Sequence, residues 1–267
     1  MLLMSIALPL RLFSQEGTHN CHIKEPKNGI YVVAHRGAHN GIPENSLAAY
    51  QKAIDLGCDY VEIDIRTSKD GRFVSIHNST VDEYVKGSKG KVSELNLAEL
   101  RSLDIGVNYG PELQDTKIPT FDEILELCRG RIGIYLDLKA APVTQLVDII
   151  KKYRMEKEII WYISASDTND IDELTTCCPD CLLMPDPGAE KNIKTVTSKV
   201  QPCILATDMD QLSEKFVATA HQCKTIVISD EKDGTEAEWR QMLEWKTDGI
   251  QSDDPGELIS FLKSRKQ

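Results

Sequence analysis

Segments with the composition of β-strands alternate with segments of helical periodicity through most of this 267-residue chain. The β-like runs are short, apolar and rich in β-branched residues, whereas the helical ones repeat apolar residues every three to four positions. This alternation is typical of a parallel sheet in which helices connect successive strands. We count nine β-like runs: 30–34, 60–65, 73–77, 132–139, 159–164, 181–184, 203–206, 225–229 and the segment that starts at Gly249.

The order of these segments allows either a closed (β/α)8 barrel or an open, doubly wound sheet. A barrel needs eight strands, so one run is surplus, and 181–184 and 203–206 are the two that are hardest to place together. The open sheet is disfavoured because no glycine-rich phosphate loop follows the first strand. No linker or internal repeat divides the chain. We therefore predict one α/β domain, residues 29–264, folded as a TIM-like barrel.

Polar residues stand where the predicted strands end, and this placement also favours the barrel. The carboxyl ends of barrel strands meet at one mouth, which is where enzymes with this fold keep their active sites. The residues concerned are His35, Glu62, Asp64, His77, Asp137, Lys139 and Asp253. We expect them to converge at that mouth.

Glu62 and Asp64 stand two apart in strand 60–65 and therefore point to the same side of the sheet. Two adjacent carboxylates repel each other and lose hydration when buried, so a cation is expected beside them. For this stretch alone, a half-buried strand with charges on its solvent face is an equally good interpretation. With Asp137, the pair would supply three oxygen ligands to Mg²⁺ or Ca²⁺.

The other mouth residues match the needs of a displacement at phosphorus. His35 and His77 can serve as general acid and general base, because the intrinsic pKa of a histidine side chain suits proton transfer near neutrality, while Arg36 and Lys139 can bind an anionic group. A zinc site would more often use both histidines as ligands. A single histidine or charged residue at a strand end more often has a structural role than a catalytic one. Only the convergence of all these residues at one mouth indicates catalysis. Glu44 can be a ligand, a partner of Arg36, or a carboxylate that the helix dipole favours.

The formal net charge of −11 argues against nucleic-acid binding and provides no general attraction to anionic membranes. Residues 1–15 look like the apolar part of a secretion signal, although no basic segment precedes them, and the run is too short to span a bilayer. We predict a signal-like segment within residues 1–20 and a periplasmic or secreted protein, or a cytoplasmic one if this segment is not a signal. The eight cysteines fit either redox compartment, and a bridge from Cys181 to Cys177 or Cys178 is possible.

In order and spacing, these motifs resemble the glycerophosphodiester phosphodiesterase family. The matching segments are His35-Arg36-Gly37, Pro43-Glu44-Asn45-Ser46, Gly57, Glu62-Ile63-Asp64, Asp70-Gly71, His77, Ile118-Pro119-Thr120, Asp137-Leu138-Lys139 and Asp248-Gly249-Ile250-Gln251-Ser252-Asp253-Asp254-Pro255. They cover nearly the whole chain after residue 29 and are weakest between about 165 and 245.

The resemblance implies a TIM-like barrel that hydrolyses glycerophosphodiesters to glycerol 3-phosphate and an alcohol. It also implies a divalent cation on Glu62, Asp64 and the acidic residue of the fourth strand, Asp137, with His35 and His77 as the acid/base pair. Attack on phosphorus by the neighbouring glycerol hydroxyl and attack by water both stay open.

Three positions depart from the family pattern. Asn78 stands where the family usually has Asp, and an amide accepts a hydrogen bond but carries no charge. Asp137 stands where the family usually has Glu and is one methylene shorter. Val227-Ile228-Ser229-Asp230 replaces a Trp-Thr-Val-Asn-like segment. The resemblance therefore predicts the reaction class but not the pocket for the alcohol.

Three functions are compatible with these motifs. The first is a metal-dependent hydrolase of small glycerophosphodiesters, without a nucleic-acid partner and without stable membrane insertion. The second is a phospholipase C- or D-like enzyme of the same barrel, which would need an exposed apolar rim that the charged loop 79–92 hardly offers. The third is a barrel that binds phosphodiesters without turning them over, suggested by Asn78 and Asp137.

Overall fold

Eight parallel strands form a barrel in the computed structural model, which describes residues 23–85 and 87–265. Including one further strand, the strands are β1 (Tyr31–Ala34), β2 (Tyr60–Thr67), β3 (Phe73–Ser75), β4 (Gly133–Ala140), β5 (Ile159–Ser164), β6 (Leu182–Asp186), β7 (Ile204–Asp208), β8 (Ile226–Asp230) and β9 (Gly249–Ser252). The helices are α1 (Leu47–Leu56), α2 (Leu97–Ser102), α3 (Phe121–Cys128), α4 (Val143–Tyr153), α5 (Thr168–Cys177), α6 (Ile193–Val200), α7 (Glu214–Gln222), α8 (Glu236–Glu244) and α9 (Pro255–Ser264).

The strand order around the barrel is β6-β5-β4-β2-β1-β9-β8-β7. Neighbouring strands in this order are hydrogen-bonded in parallel, as a chain of strand–helix–strand units requires. β6 and β7 lie side by side, but within the described part of the chain no ladder of hydrogen bonds joins them. The barrel is therefore nearly closed, with a seam on the side opposite β2.

The surplus β-like run is β3, which lies outside the barrel. The runs 181–184 and 203–206 both belong to barrel strands, β6 and β7. β3 pairs antiparallel with the end of β2, because the turn at Asp70-Gly71 sends the chain straight back. Between β3 and α3, helix α2 and its loops cover a small core of their own, formed by Val74, Ile76, Val81, Val92, Leu100, Ile105 and Ile118.

Residues alternate strictly between the inside and the outside of the barrel. The inside is filled by bulky side chains: Tyr31, Val33, Tyr60, Tyr135, Ile160, Met184, Ile204, Ala206 and Ile228. The residues between them face outward and pack against the helices in the main core. These side chains fill the barrel interior. The residue two positions after each of them points to the same side, and where it follows the last interior residue of a strand it lies at the barrel mouth.

Hydrogen-bonded caps at the starts of two helices, α1 and α3, hold the loops that precede them. Ser46 caps α1 by accepting a hydrogen bond from the Ala49 amide at 3.1 Å, and Thr120 and Glu123 form a capping box at the start of α3.

The predicted signal-like segment, residues 1–20, lies outside the described residues. Among those described, no helix has both the length and the apolar character needed to cross a bilayer.

Candidate active site

The carboxyl ends of the barrel strands bring the predicted site residues together at one mouth. Two of these ends carry the carboxylates predicted to hold a cation: β2 carries Glu62 and Asp64, and β4 carries Asp137, directly beside Asp64 in the strand register. His35 follows β1 directly, and its amide is bonded to the Ser252 carbonyl of β9 at 3.0 Å. These strand ends therefore hold the predicted carboxylates and one of the predicted histidines.

Glu62, Asp64 and Asp137 form a compact carboxylate cluster. One oxygen from each lies within 4.8 Å of the others. Glu62 and Asp64 are almost completely buried, at 2% and 1% exposure. Burial and the neighbouring Asp64 raise the pKa of Glu62 well above its ordinary value, and burial also raises that of Asp137 against the opposing charge of Lys139. Three acidic oxygens at this spacing, two of them on buried side chains, suit a hard divalent cation, and the shorter Asp137 still reaches the cluster.

Lys139 supplies a positive charge to this cluster. Its ammonium group lies 2.7 Å from Asp137 Oδ2 and 3.4 Å from Asp64 Oδ1. The ammonium therefore offsets part of the negative charge that the burial of these carboxylates makes costly.

Asn45 orients Asp64 through a buried hydrogen-bond network. Its amide nitrogen donates to Asp64 Oδ2 at 2.7 Å, while its Oδ1 accepts from Ser75 Oγ at 2.7 Å and from the Tyr50 hydroxyl at 2.9 Å. The motif Pro43-Glu44-Asn45-Ser46 pointed to this loop. Nothing local in the sequence pointed to Tyr50 or Ser75, because they lie on α1 and β3.

Arg36 is tied to the site by both its backbone and its side chain. Its amide donates to Glu62 Oε2 at 2.7 Å, and its guanidinium contacts both oxygens of Glu44 at 3.0 and 3.2 Å. Its Nε lies 3.7 Å from Asp64 Oδ2. Of the three roles open to Glu44, the structure shows the partner of Arg36. The next residue, Gly37, has a φ of +86°, and a Cβ there would lie 2.6 Å from the Ala49 Cβ, so only glycine lets this loop pack on α1.

His35 is held as a proton donor by Asp253. Its Nδ1 lies 2.7 Å from Asp253 Oδ1, which also contacts His39 Nε2 at 3.2 Å. Burial lowers the pKa of His35, but the bond to Asp253 and the charge of Glu62 outweigh burial and raise it to about 9. Nδ1 donates to a carboxylate, so Nε2 is the atom that can face a substrate. His39 was not among the predicted site residues.

Asp253 is itself fixed by a half-buried glutamate, Glu231. Its amide donates to Glu231 Oε1 at 2.9 Å, and the same oxygen accepts from Ser252 Oγ at 2.8 Å. Trp239 Nε1 donates to the other oxygen of Glu231 at 2.6 Å. Glu231 thereby sets the position of the loop that orients His35.

We expect Asp253→Asn to lower the pKa of His35 from about 9 towards its ordinary 6.5. The amide still fills the space but removes the charge that favours the imidazolium. In metal-free protein, the His35 ring signals followed by NMR against pH measure this change directly. Asp254→Asn, one residue further on, is the control and should leave the midpoint in place. An unchanged midpoint in Asp253→Asn would contradict the pairing.

His77 reaches the mouth by a different route from the one expected. It does not end a barrel strand: β3 runs antiparallel to β2 and stops at Ser75, and the Ile76 amide bonds the Asp64 carbonyl at 2.9 Å. Arg66 holds the His77 carbonyl with Nε at 2.9 Å and Nη2 at 2.6 Å. The hairpin therefore brings His77 back beside the carboxylate cluster.

Asn78 determines which nitrogen of His77 carries a proton. His77 Nδ1 lies 2.9 Å from Asn78 Oδ1, and Asn78 Nδ2 donates to Glu83 Oε2 at 2.6 Å. Because the amide nitrogen must face Glu83, its oxygen faces His77 and can only accept. Nδ1 is then the protonated nitrogen of a neutral His77, and Nε2 keeps its lone pair. Glu83, which the sequence gave no reason to single out, supplies a negative charge on the side of Asn78 that faces away from His77.

We expect Asn78→Asp to lower the stability of the protein by about 1 kcal/mol, because it places a second carboxylate against Glu83. Adding Glu83→Gln should restore stability, because it removes one of the two facing carboxylates. Thermal unfolding measures the effect, with Glu83→Gln alone as the control. Equal stability of the single and double variants would mean that Glu83 does not face residue 78 in solution.

Comparisons with known proteins agree with this geometry. Residues 35–257 match the model of the glycerophosphoryl diester phosphodiesterase family. A glycerophosphodiester phosphodiesterase of Caldanaerobacter subterraneus subsp. tengcongensis is 28% identical over 251 residues, covering 87% of this chain and 97% of that protein. The crystal structure of glycerophosphodiester phosphodiesterase from Agrobacterium tumefaciens superposes with a TM-score of 0.77 at 25% identity, over 86% of this chain and 99% of the other.

A third relative has the same fold at lower identity. The structure of an Oleispira antarctica phosphodiesterase in complex with the product sn-glycerol-3-phosphate superposes with a TM-score of 0.79 at 23% identity, over 87% of this chain and 96% of the other. The family match spans all the motifs that form the mouth, from His35 to Asp253. The chain belongs to the glycerophosphoryl diester phosphodiesterase family.

Proposed function

We propose that the protein hydrolyses glycerophosphodiesters to glycerol 3-phosphate and an alcohol in a reaction that depends on a divalent cation. The observation that carries this proposal is the meeting of three acidic oxygens within 4.8 Å with two oriented histidines at one barrel mouth. Family membership and the product-bound relative support the same reaction.

Glu62, Asp64 and Asp137 are the residues we assign to the cation, Mg²⁺ or Ca²⁺. When bound there, such an ion would stabilise the negative charge that develops on the phosphoryl oxygens. Arg36 and Lys139 border the same cluster and are the cations we assign to the phosphate. The acidic background of the chain, with a net charge of −11, makes this local positive charge necessary for an anionic substrate.

The two histidines differ in the proton that each can move. His77 keeps a lone pair on Nε2 and is the general base, taking the proton of the attacking oxygen as that oxygen bonds to phosphorus. His35, with its pKa raised to about 9 against burial by Asp253, is protonated at neutrality and is the general acid. It donates a proton to the leaving oxygen as the bond from that oxygen to phosphorus breaks. Proton exchange with water then restores both rings.

Release of glycerol 3-phosphate from glycerophosphocholine, measured with and without EDTA, tests this function. We expect turnover that EDTA abolishes and that added Mg²⁺ or Ca²⁺ restores. Hydrolysis of lysophosphatidylcholine alone would indicate the phospholipase-like function instead. Measurable binding of glycerophosphocholine without any turnover would indicate a non-catalytic barrel.

We also propose that the protein acts in an oxidising compartment, periplasmic or extracellular. Cys178 and Cys181 form a disulfide, and Cys203, which lies in an apolar context typical of a core residue, is also disulfide-bonded. Disulfides persist in secreted and periplasmic proteins and are rare in the cytosol. Mass spectrometry of the non-reduced protein from its native source should find the Cys178–Cys181 peptide linked. A reduced pair in that sample would contradict the location.

A further inference from the structure

Three further carboxylates line the mouth on the side away from the metal cluster. They are Asp186, Asp208 and Asp230, the last residues of β6, β7 and β8. Each stands two positions after a residue of the barrel interior, Met184, Ala206 or Ile228, and therefore points to the same side. Asp208 and Asp230 are direct neighbours in the strand register. We call these three residues the acidic wall.

The acidic wall has only neutral hydrogen-bond donors. Asp186 accepts from the Gly188 amide at 2.7 Å and from the Tyr162 hydroxyl at 3.4 Å. Asp208 accepts from the Gln211 amide at 3.0 Å and from its side chain at 3.1 Å.

No ion pair formed by residues 23–85 and 87–265 includes a carboxylate of the wall. Lys232 pairs with Asp210 instead. Half-buried carboxylates outside any ion pair are costly to keep charged, and only for Asp230 do the nearby charges of His35 and Arg36 offset this cost, so this side of the mouth favours a further cation.

Gln251 provides a second, independent sign of a missing ligand. It lies on β9 beside Asp230 in the strand register and is 94% buried, with 6% exposure. Asp230 is a carboxylate and can only accept, so the amide nitrogen of Gln251 is the atom that can face it. The amide oxygen Oε1 is buried and has no hydrogen-bond partner among the described residues. A buried oxygen of this kind needs a donor.

We propose that the acidic wall and Gln251 bind the leaving alcohol of the substrate, and that this alcohol carries an ammonium group. The inference rests on the proposed function, because it uses His35 as the acid that protonates the leaving oxygen. Asp230 lies close enough to His35 and Arg36 for their charges to act on it, so the leaving alcohol enters beside the wall. The phosphate is drawn to Arg36 and Lys139, and the cationic end to the opposite side.

The donor that Gln251 Oε1 lacks refines the choice of alcohol. A primary ammonium brings both a charge for the wall and N–H donors for this oxygen. A quaternary ammonium brings the charge alone, and an uncharged polyol brings donors alone. We therefore expect kcat/KM to fall in the order glycerophosphoethanolamine, glycerophosphocholine, glycerophosphoglycerol.

The test compares these three substrates in the metal-loaded protein and in two wall variants, Asp208→Asn and Asp230→Asn. We expect each variant to lower the ratio of kcat/KM for glycerophosphoethanolamine to that for glycerophosphoglycerol about tenfold, as loss of one partner of a partly buried charge pair does. The ratio cancels any effect of Asp230 on the acidity of His35, since all substrates share that step. Asp210→Asn, an exposed aspartate paired with Lys232, is the control and should leave the ratio unchanged. Thermal unfolding verifies that the variants are folded.

Two results would overturn the inference while leaving the proposed function intact. One is active protein whose ratio is the same in the parent and in both wall variants. The other is a second bound Ca²⁺ per chain, found by equilibrium dialysis, that is lost in Asp208→Asn, because the wall would then be a metal site. Failure to hydrolyse any of the three substrates would instead contradict the proposed function itself.

Discussion

His77→Gln should lose about 10²- to 10⁴-fold in kcat while binding Mg²⁺ or Ca²⁺ as well as the parent protein, and His35→Gln should behave likewise. The reason is that both rings are hydrogen-bonded to residues other than the three clustered carboxylates, His35 to Asp253 and His77 to Asn78. Removing either ring removes a proton transfer and leaves the oxygen ligands in place. Steady-state kinetics on glycerophosphocholine and calorimetric titration with the metal measure the two quantities separately.

His39→Gln is the matched control for these variants. His39 lies on the same loop as His35 and also contacts Asp253, but at 3.2 Å and through its Nε2. We expect it to retain most of the activity. Weaker metal binding in His35→Gln or His77→Gln would mean that the affected histidine is a ligand rather than an acid or base.

Glu62→Gln should abolish metal-dependent turnover and, in metal-free protein, raise stability at neutral pH. The folded-state pKa of Glu62 is raised well above its ordinary 4.5 by burial and by Asp64, so folding binds a proton that the unfolded chain releases. Stability of the metal-free protein therefore falls as pH rises above about 4.5, and Glu62→Gln removes this loss. The glutamine oxygen can still accept the hydrogen bond from the Arg36 amide, so the loop stays in place.

Urea unfolding in EDTA at pH 5 and pH 8 measures this difference, and metal titration measures the lost affinity. Glu83→Gln, which removes a charge outside the cluster, controls for the change in net charge. If the parent and Glu62→Gln showed the same dependence of stability on pH, Glu62 would not be the carboxylate whose pKa is raised in the folded protein.

Much of the fold could be predicted because its signals are local. Strand periodicity predicted that Glu62 and Asp64 point to the same side, and the convergence of barrel strand ends predicted Asp137 near them. The structure brings one oxygen of each within 4.8 Å of the others. The barrel followed from the alternation of strands and helices together with the polar residues at the predicted strand ends and the absence of a glycine-rich phosphate loop after the first strand. The surplus strand did not, because parallel and antiparallel runs have the same composition, and only the turn at Asp70-Gly71 reveals which partner β3 takes.

The supporting residues of the site could not be predicted because their contacts join distant segments. Tyr50 and Ser75 converge on Asn45 from a helix and a hairpin, and Glu231 holds Asp253 across 22 positions. The sequence alone shows that Asn78 stands where the family usually has Asp. That Glu83 lies against Asn78 and supplies a negative charge there depends on how the loop between them folds. Contacts of this kind follow from tertiary packing and leave no periodic signal.

The β2–β3 hairpin determines which parts of the barrel can accept sequence changes without disturbing the site. Glu62, Asp64 and His77 lie on one continuous stretch of sixteen positions closed by a tight turn, on the side of the barrel farthest from the unladdered seam between β6 and β7. The spacing of these three groups is therefore set locally and not by the circumference of the barrel. Strands at the seam can therefore shift, or acquire new loops, without moving Glu62, Asp64 or His77. Substitutions and insertions on the β6–β7 side of the barrel should be tolerated better than those in the hairpin, which carries the reactive groups.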